Sequence, residues 1–224
     1  MSIQQIHKPD DVQKHHSNNS ENFQTHINNP NFFSFVTHNV RSCMSPVKMQ
    51  QIELFFTNHN LDILGLSETH FTTSKALYYS SNLQNKPYRF LFSSTNSKQN
   101  CQGVGFIIRN YLYDHIFFKK FIQDRIAYID LQFKNKTKLR IIQVYLPANT
   151  SDREQIELRI ELEKIIIDII IEAQSKAFHV TLMGDFNFNY YTKNENTSKN
   201  RRHGSFFDKI LNLICSLSDV LAGK

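Results

Sequence analysis

Apolar residues in this chain gather into runs of strand length, and each run breaks off at polar acceptor side chains. That pattern constrains the fold more than any other feature. FFSFV begins at Phe32 and stops at Thr37-His38-Asn39, LDILGLS runs into Glu68, and FHVTLM ends at Gly184-Asp185. Between these runs lie stretches with helical spacing. After Pro46, residues Val47, Met49, Ile52, Phe55 and Phe56 mark an amphipathic helix. A longer helix is predicted over 152–175, capped by Ser151 or Asp152, with Ile156, Ile160, Ile167 and Ile170 near helical period. Tyr88–Phe92 and Gly103–Ile108 read as strands, Leu77–Asn85 as a short helix or loop, and SFFDKILNLICSL as a final helix. Strand and helix therefore alternate, as in α/β proteins. However, Arg125–Phe133 and Leu139–Tyr145 flank the polar linker KNKTK and read as an antiparallel hairpin, so a purely parallel dinucleotide-binding sheet fits poorly.

Residues 1–31 are a different kind of sequence, rich in His, Asn, Gln and Ser with isolated apolar residues. Such a stretch buries too little surface to offset its ordering entropy, which predicts a disordered polar tail ahead of a folded domain over 32–224. The tail is expected to be removable without loss of folded content. His7, His15, His16 and His26 are too loosely spaced to read as a metal site. The three cysteines, Cys43, Cys101 and Cys215, form neither a zinc pattern nor a disulfide framework, which suggests free thiols in a reducing intracellular compartment, nucleus or cytoplasm. No signal-peptide core opens the chain, and the most apolar run, Ile165–Ile171, is too short to cross a bilayer. The net charge of +6 favours an anionic partner such as nucleic acid.

Loops at strand carboxyl ends are where α/β proteins place ligand sites, which makes Asn39, Glu68 and Asp185 the first candidates. Glu68 and Asp185 supply the hard oxygen donors that magnesium takes, one or two carboxylates being enough beside waters and substrate phosphate. Asp185 and Asn187 are two residues apart and would face one way in an extended segment. Asp185 could then orient or deprotonate a water, and Asn187 could donate a hydrogen bond to the transferring group. The plain alternative is that Asp and Asn after a strand are ordinary turn formers, and that Tyr145 is a half-buried strand aromatic.

Four tetrads, Thr37-His-Asn-Val40, Leu66-Ser-Glu-Thr69, Val144-Tyr-Leu-Pro147 and Gly184-Asp-Phe-Asn187, follow one another in the order seen in the endonuclease/exonuclease/phosphatase superfamily. The chain resembles that deoxyribonuclease I-like family over about residues 35–219, and most closely the endonuclease domain of non-LTR retrotransposons. The resemblance implies a four-layer α/β/β/α sandwich and hydrolysis of a nucleic-acid backbone, DNA first, by metal-activated water, with Mg2+ or Mn2+ as cofactor. It implies that Asn39 positions the metal site and the catalytic Asp, Glu68 binds metal, and Tyr145 contacts the scissile phosphate. Asp185 would activate the water beside the metal, and Asn187 would bind the transition state. Arg125 stands where relatives often begin the hairpin with Arg. Asn149 corresponds to an Asn that follows the tyrosine-proline motif, although Ala148 intervenes. Arg201 and Arg202, with Lys193 and Lys199, would contact phosphates or form a solvated charged loop.

Complete members of the family continue with a Thr-Trp motif, an Asp-bearing strand and a closing Ser-Asp-His. Here Ser218-Asp219 is followed by Val220. The expectation is a domain incomplete at its C-terminus, lacking its last strands and weak or inactive as an enzyme, with an unpaired sheet edge that favours self-association. A non-catalytic remnant or interaction module of the same fold, and a phosphomonoesterase acting on inositol phosphates, stand as the alternatives.

Overall fold

The computed structural model describes residues 2–7, 32–81, 85–93, 102–148, 151–188 and 205–213. Its elements, in chain order, are β1 (Ser2–His7), β2 (Phe32–Asn39), α1 (Pro46–Asn58), β3 (Ile63–Ser67), α2 (Thr73–Ser81), β4 (Tyr88–Phe92) and β5 (Val104–Arg109). They continue with α3 (Asn110–Tyr113), β6 (Ile116–Ile122), β7 (Ile126–Gln132), β8 (Lys138–Tyr145), α4 (Arg153–Ser175) and β9 (Phe178–Asp185). A last helix, α5, spans 205–213. The strands form a five-stranded sheet, ordered β1-β2-β3-β5-β4, and a four-stranded sheet, ordered β6-β7-β8-β9. The architecture is the expected α/β sandwich. Among the described residues, no helix is long and apolar enough to cross a membrane.

The chain divides into two compact units. The first, Met1–Tyr145 with Thr181–Asp185, holds nearly all of both sheets. Period-two alternation sorts its apolar residues into two cores. Phe33, Phe35, Ile63, Phe106 and Ile108 of the five-stranded sheet pack with Ala127, Ile129, Leu131, Ile141 and Met183 of the four-stranded one. The opposite face of the five-stranded sheet contributes Val36, Leu64, Leu66, Phe90 and Ile107, which pack with Met49, Ile52 and Phe56 of α1 and Ala76 of α2. Its strands are therefore apolar on both faces, as a sheet covered twice must be. The 125–145 region is the hairpin the sequence predicts, with Ile126 opposite Val144 and Gln132 opposite Lys138. Within it, Arg140 and Asp130 sit opposite each other and form two 2.7 Å charge-assisted bonds while almost fully buried. Removing one partner of such a buried pair would leave an uncompensated charge in the core, which is strongly destabilising.

At the N-terminus the structure has a strand where the sequence predicts a polar tail. Ser2–His7 is not a free tail but a strand, antiparallel to β2 from Ser2 opposite Thr37 to His7 opposite Phe32. The segment has little apolar surface to bury, but its backbone can pair. An open edge of β2 offers a row of unpaired N–H and C=O groups that any extended segment can satisfy. Residues 8–31 lie outside the described residues.

The second unit, Leu146–Val180 with Phe186–Lys224, contains α4 and α5. Asp152 caps α4, its carboxylate accepting from Glu154 N at 3.0 Å. The buried stripe of α4 is Arg159, Leu162, Glu163, Ile166, Ile169, Ile170 and Ala173. Of the four isoleucines that suggested the helix only Ile170 is buried, and Ile160 is 46% exposed. Isoleucine is so frequent here that several helical faces look apolar in the sequence.

Candidate active site

Strand direction explains how the first unit assembles its site. Parallel pairing sets Asn39 opposite Ser67, so the ends of β2 and β3 lie side by side and Glu68 projects just beyond. The antiparallel β5 begins at that same end, with Val104 opposite Ser67. The loops are bound together through their backbones. Val40, Ser42 and Cys43 N–H groups donate to the carbonyls of Ser67, Glu68 and Thr69, and Thr69 N donates to Gly103 O. Gly103 N in turn donates to Asp124 O in the turn before Arg125. Gly103 is required here, because its φ is +119° and a Cβ would lie 2.3 Å from Thr69 Oγ1. Glu68 itself is left-handed, with φ +57°. A non-glycine residue in that region marks a place where the surrounding structure imposes the backbone.

The side chains converge on one amide. Asn39 Nδ2 donates to Glu68 Oε1 and to Asp185 Oδ2, both at 2.7 Å. The two carboxylates therefore hang from a single nitrogen, their bonded oxygens at most twice that length apart. Asn39 Oδ1 accepts from Arg41 N at 3.1 Å, which fixes which end of the amide faces the carboxylates. Tyr145, at the end of β8, has Glu68 and Arg125 as its charged neighbours. Burial, then Glu68 beside it, pushes the Tyr145 hydroxyl up to about 12, so at neutral pH it remains a phenol and a donor. The Arg125 guanidinium lies 4.6 Å over the Tyr145 ring, and Arg125 O accepts from Tyr145 N at 2.8 Å. Burial pushes Arg125 down from the usual guanidinium range, while Tyr145 beside it acts in the opposite sense.

Asn39, Glu68, Arg125, Tyr145 and Asp185 are thus gathered within the first unit. Asn187 belongs to the second, where its Nδ2 donates to Leu146 O at 2.8 Å. Period-two alternation does not carry from Asp185 to Asn187, because β9 ends at Asp185 and Asn187 is left-handed, with φ +47°. Asn149, Arg201 and Arg202 lie outside the described residues. The sequence reading missed His70, also left-handed at φ +58°. Burial lowers its pKa and Glu68 works against that shift, which places an imidazole in the field of the candidate metal ligand. A His two residues after a strand-end Glu was the available signal.

The donor set suits a hard cation. Two carboxylates tied to one amide are what magnesium asks of a protein when waters and substrate phosphate complete its shell. Among the described residues, no group of three or more His, Cys, Asp or Glu gathers into a fuller cage.

No protein-family model matches the sequence, and neither does any curated protein. Solved structures do. A 3' phosphatase from Neisseria, bound to a product DNA hairpin, matches with TM-score 0.61 at 18% identity, over 80% of this chain and 70% of that one. A 3'-5' exonuclease from Neisseria meningitidis gives the same figures. An AP endonuclease from Leishmania major matches with TM-score 0.65 at 12% identity, over 81% of this chain and 66% of that one. The chain shares the fold of these structures. That shared fold supplies the two-sheet frame that brings four strand ends of the first unit together.

Proposed function

We propose that this chain is a divalent-metal-dependent phosphodiesterase domain acting on nucleic-acid backbone, with DNA as the first substrate to test. The observation that carries the reading is the single Asn39 amide holding Glu68 and Asp185. The matched structures support the substrate class, since their names describe a phosphatase with a DNA hairpin, an exonuclease and an AP endonuclease.

Glu68 and Asp185 would hold the ion, Mg2+ or in its place Mn2+. Bound there, it would neutralise charge on phosphoryl oxygens and polarise an attacking water. Asp185 would orient a water and accept its proton, while Asn39 keeps the carboxylate from rotating away. Tyr145, protonated across neutral pH, can donate to a phosphate oxygen, and Arg125 places positive charge beside the phenol. Asn187 would add a further amide donor. Isothermal titration with Mg2+ and Mn2+ tests the reading. Binding should weaken at least about tenfold in both E68A and D185A, as expected when a ligand carboxylate is lost. Nicking of supercoiled plasmid should require metal and disappear in D185A. Metal affinity unchanged in both variants would overturn the assignment.

A further inference from the structure

We infer that Arg159 is a positioning residue for the Asn187 loop, an inference that rests on the phosphodiesterase reading for its catalytic meaning. The side chain lies in the second unit, on the buried stripe of α4, and only 2% of the residue is exposed. A charged residue on that stripe is costly unless every donor is used. Three of its nitrogens have partners. Nε donates to Glu163 Oε1 at 3.0 Å, Nη1 to Pro147 O at 2.6 Å, and Nη2 to Phe186 O at 3.0 Å. Glu163, one helical turn on, neutralises the guanidinium and fixes its plane. The other two arms hold carbonyls from two loops far apart in sequence.

Those two loops also meet through Asn187, whose amide donates to Leu146 O. Leu146-Pro147 and Phe186-Asn187 are therefore joined twice, by the Arg159 fork and by the Asn187 amide. In sequence, Pro147 is two residues past Tyr145, and Phe186 separates Asp185 from Asn187. Asn187 holds a left-handed backbone at φ +47°, which asparagine adopts more readily than most residues, and its loop still needs neighbours to fix its path. The fork provides that hold, and a planar guanidinium suits it because it presents several donors in fixed directions. A lysine has one nitrogen and cannot reach all three partners at once. Arg159 touches no reacting atom and acts through the loop.

The test compares wild type with R159K and R159A in the full chain, with E163Q as a milder variant should R159A fail to fold. Amide hydrogen exchange should accelerate in R159K at both 146–148 and 186–188, with the centre of β7 unchanged. Plasmid nicking should lose about 10- to 100-fold in kcat, with KM and Mg2+ affinity within about twofold of wild type, because misplacement by an ångström costs on that scale. Exchange unchanged at either loop would overturn the tether, and faster exchange with kcat intact would overturn the positioning role. A wild-type chain without turnover would defeat the phosphodiesterase reading and leave the tether to be decided by exchange alone.

Discussion

Gly184 decides whether Asp185 can stand where it does. A Cβ there would lie 2.1 Å from Val144 O, and the backbone sits at φ +141°, where side chains other than hydrogen are strained. The close approach is between β9 and β8, the strands that end in Asp185 and Tyr145. Gly184→Ala should therefore lower stability by roughly 2–4 kcal/mol, read as a shift in the urea midpoint, because both sterics and backbone oppose it. Magnesium affinity should fall with it. An unchanged midpoint would mean the two strands can move apart freely. Asn39, Glu68 and Asp185 were legible in the sequence because each ends or follows an apolar run, and the strand pattern alone exposes such positions. Arg159 was not. Its signal was a charge at 159 and another at 163 on a stripe continuing through Leu162, Ile166 and Ala173. An i, i+4 ion pair in a sequence is ordinarily read as solvent-facing.

At the scale of elements, β1 and β6 show where period counting stops working. The six residues of β1 add to the sheet through backbone pairing with β2, the strand that ends in Asn39. Removing residues 1–7 should lower the melting temperature by roughly 5 °C or more, since a loss of 1 kcal/mol moves a domain of this size by about 2–4 °C. It should also raise light scattering, because β2 would become an open edge. An unchanged melting temperature would restore the view of these residues as a dispensable tail. Strand β6 was not read from the sequence because it lacks alternation. Phe117, Phe118, Lys119 and Lys120 are all exposed, and the register shifts between Ile116 and Phe118. It pairs with β7 and ends the order of the four-stranded sheet. Two adjacent lysines and a bulge are the devices that keep an edge strand from recruiting another chain. That argues against self-association through this edge, although Phe117 at 56% exposed still presents an apolar surface.

At the scale of the whole molecule, charge and site make different demands on a nucleic acid. On the phosphodiesterase reading, Glu68 and Asp185 would place two carboxylates beside the substrate phosphate, and a bound ion would have to offset them locally. The net charge of +6 acts over longer distances and is screened by salt. These contributions separate in a titration. Binding of a short DNA duplex should weaken linearly in log–log terms as salt rises, by about 0.9 in slope for each phosphate contact made by a Lys or Arg. If Arg201 and Arg202 each make one, R201A/R202A should reduce that slope by roughly 2 and leave the melting temperature unchanged. D185A should leave the slope as it is in the absence of metal, since it removes no cation. Fluorescence anisotropy from 50 to 200 mM salt would measure all three chains. A double variant with the wild-type slope would assign Arg201 and Arg202 to a solvated charged loop. The general positive field would then be carried by other residues among the chain's 26 lysines and arginines.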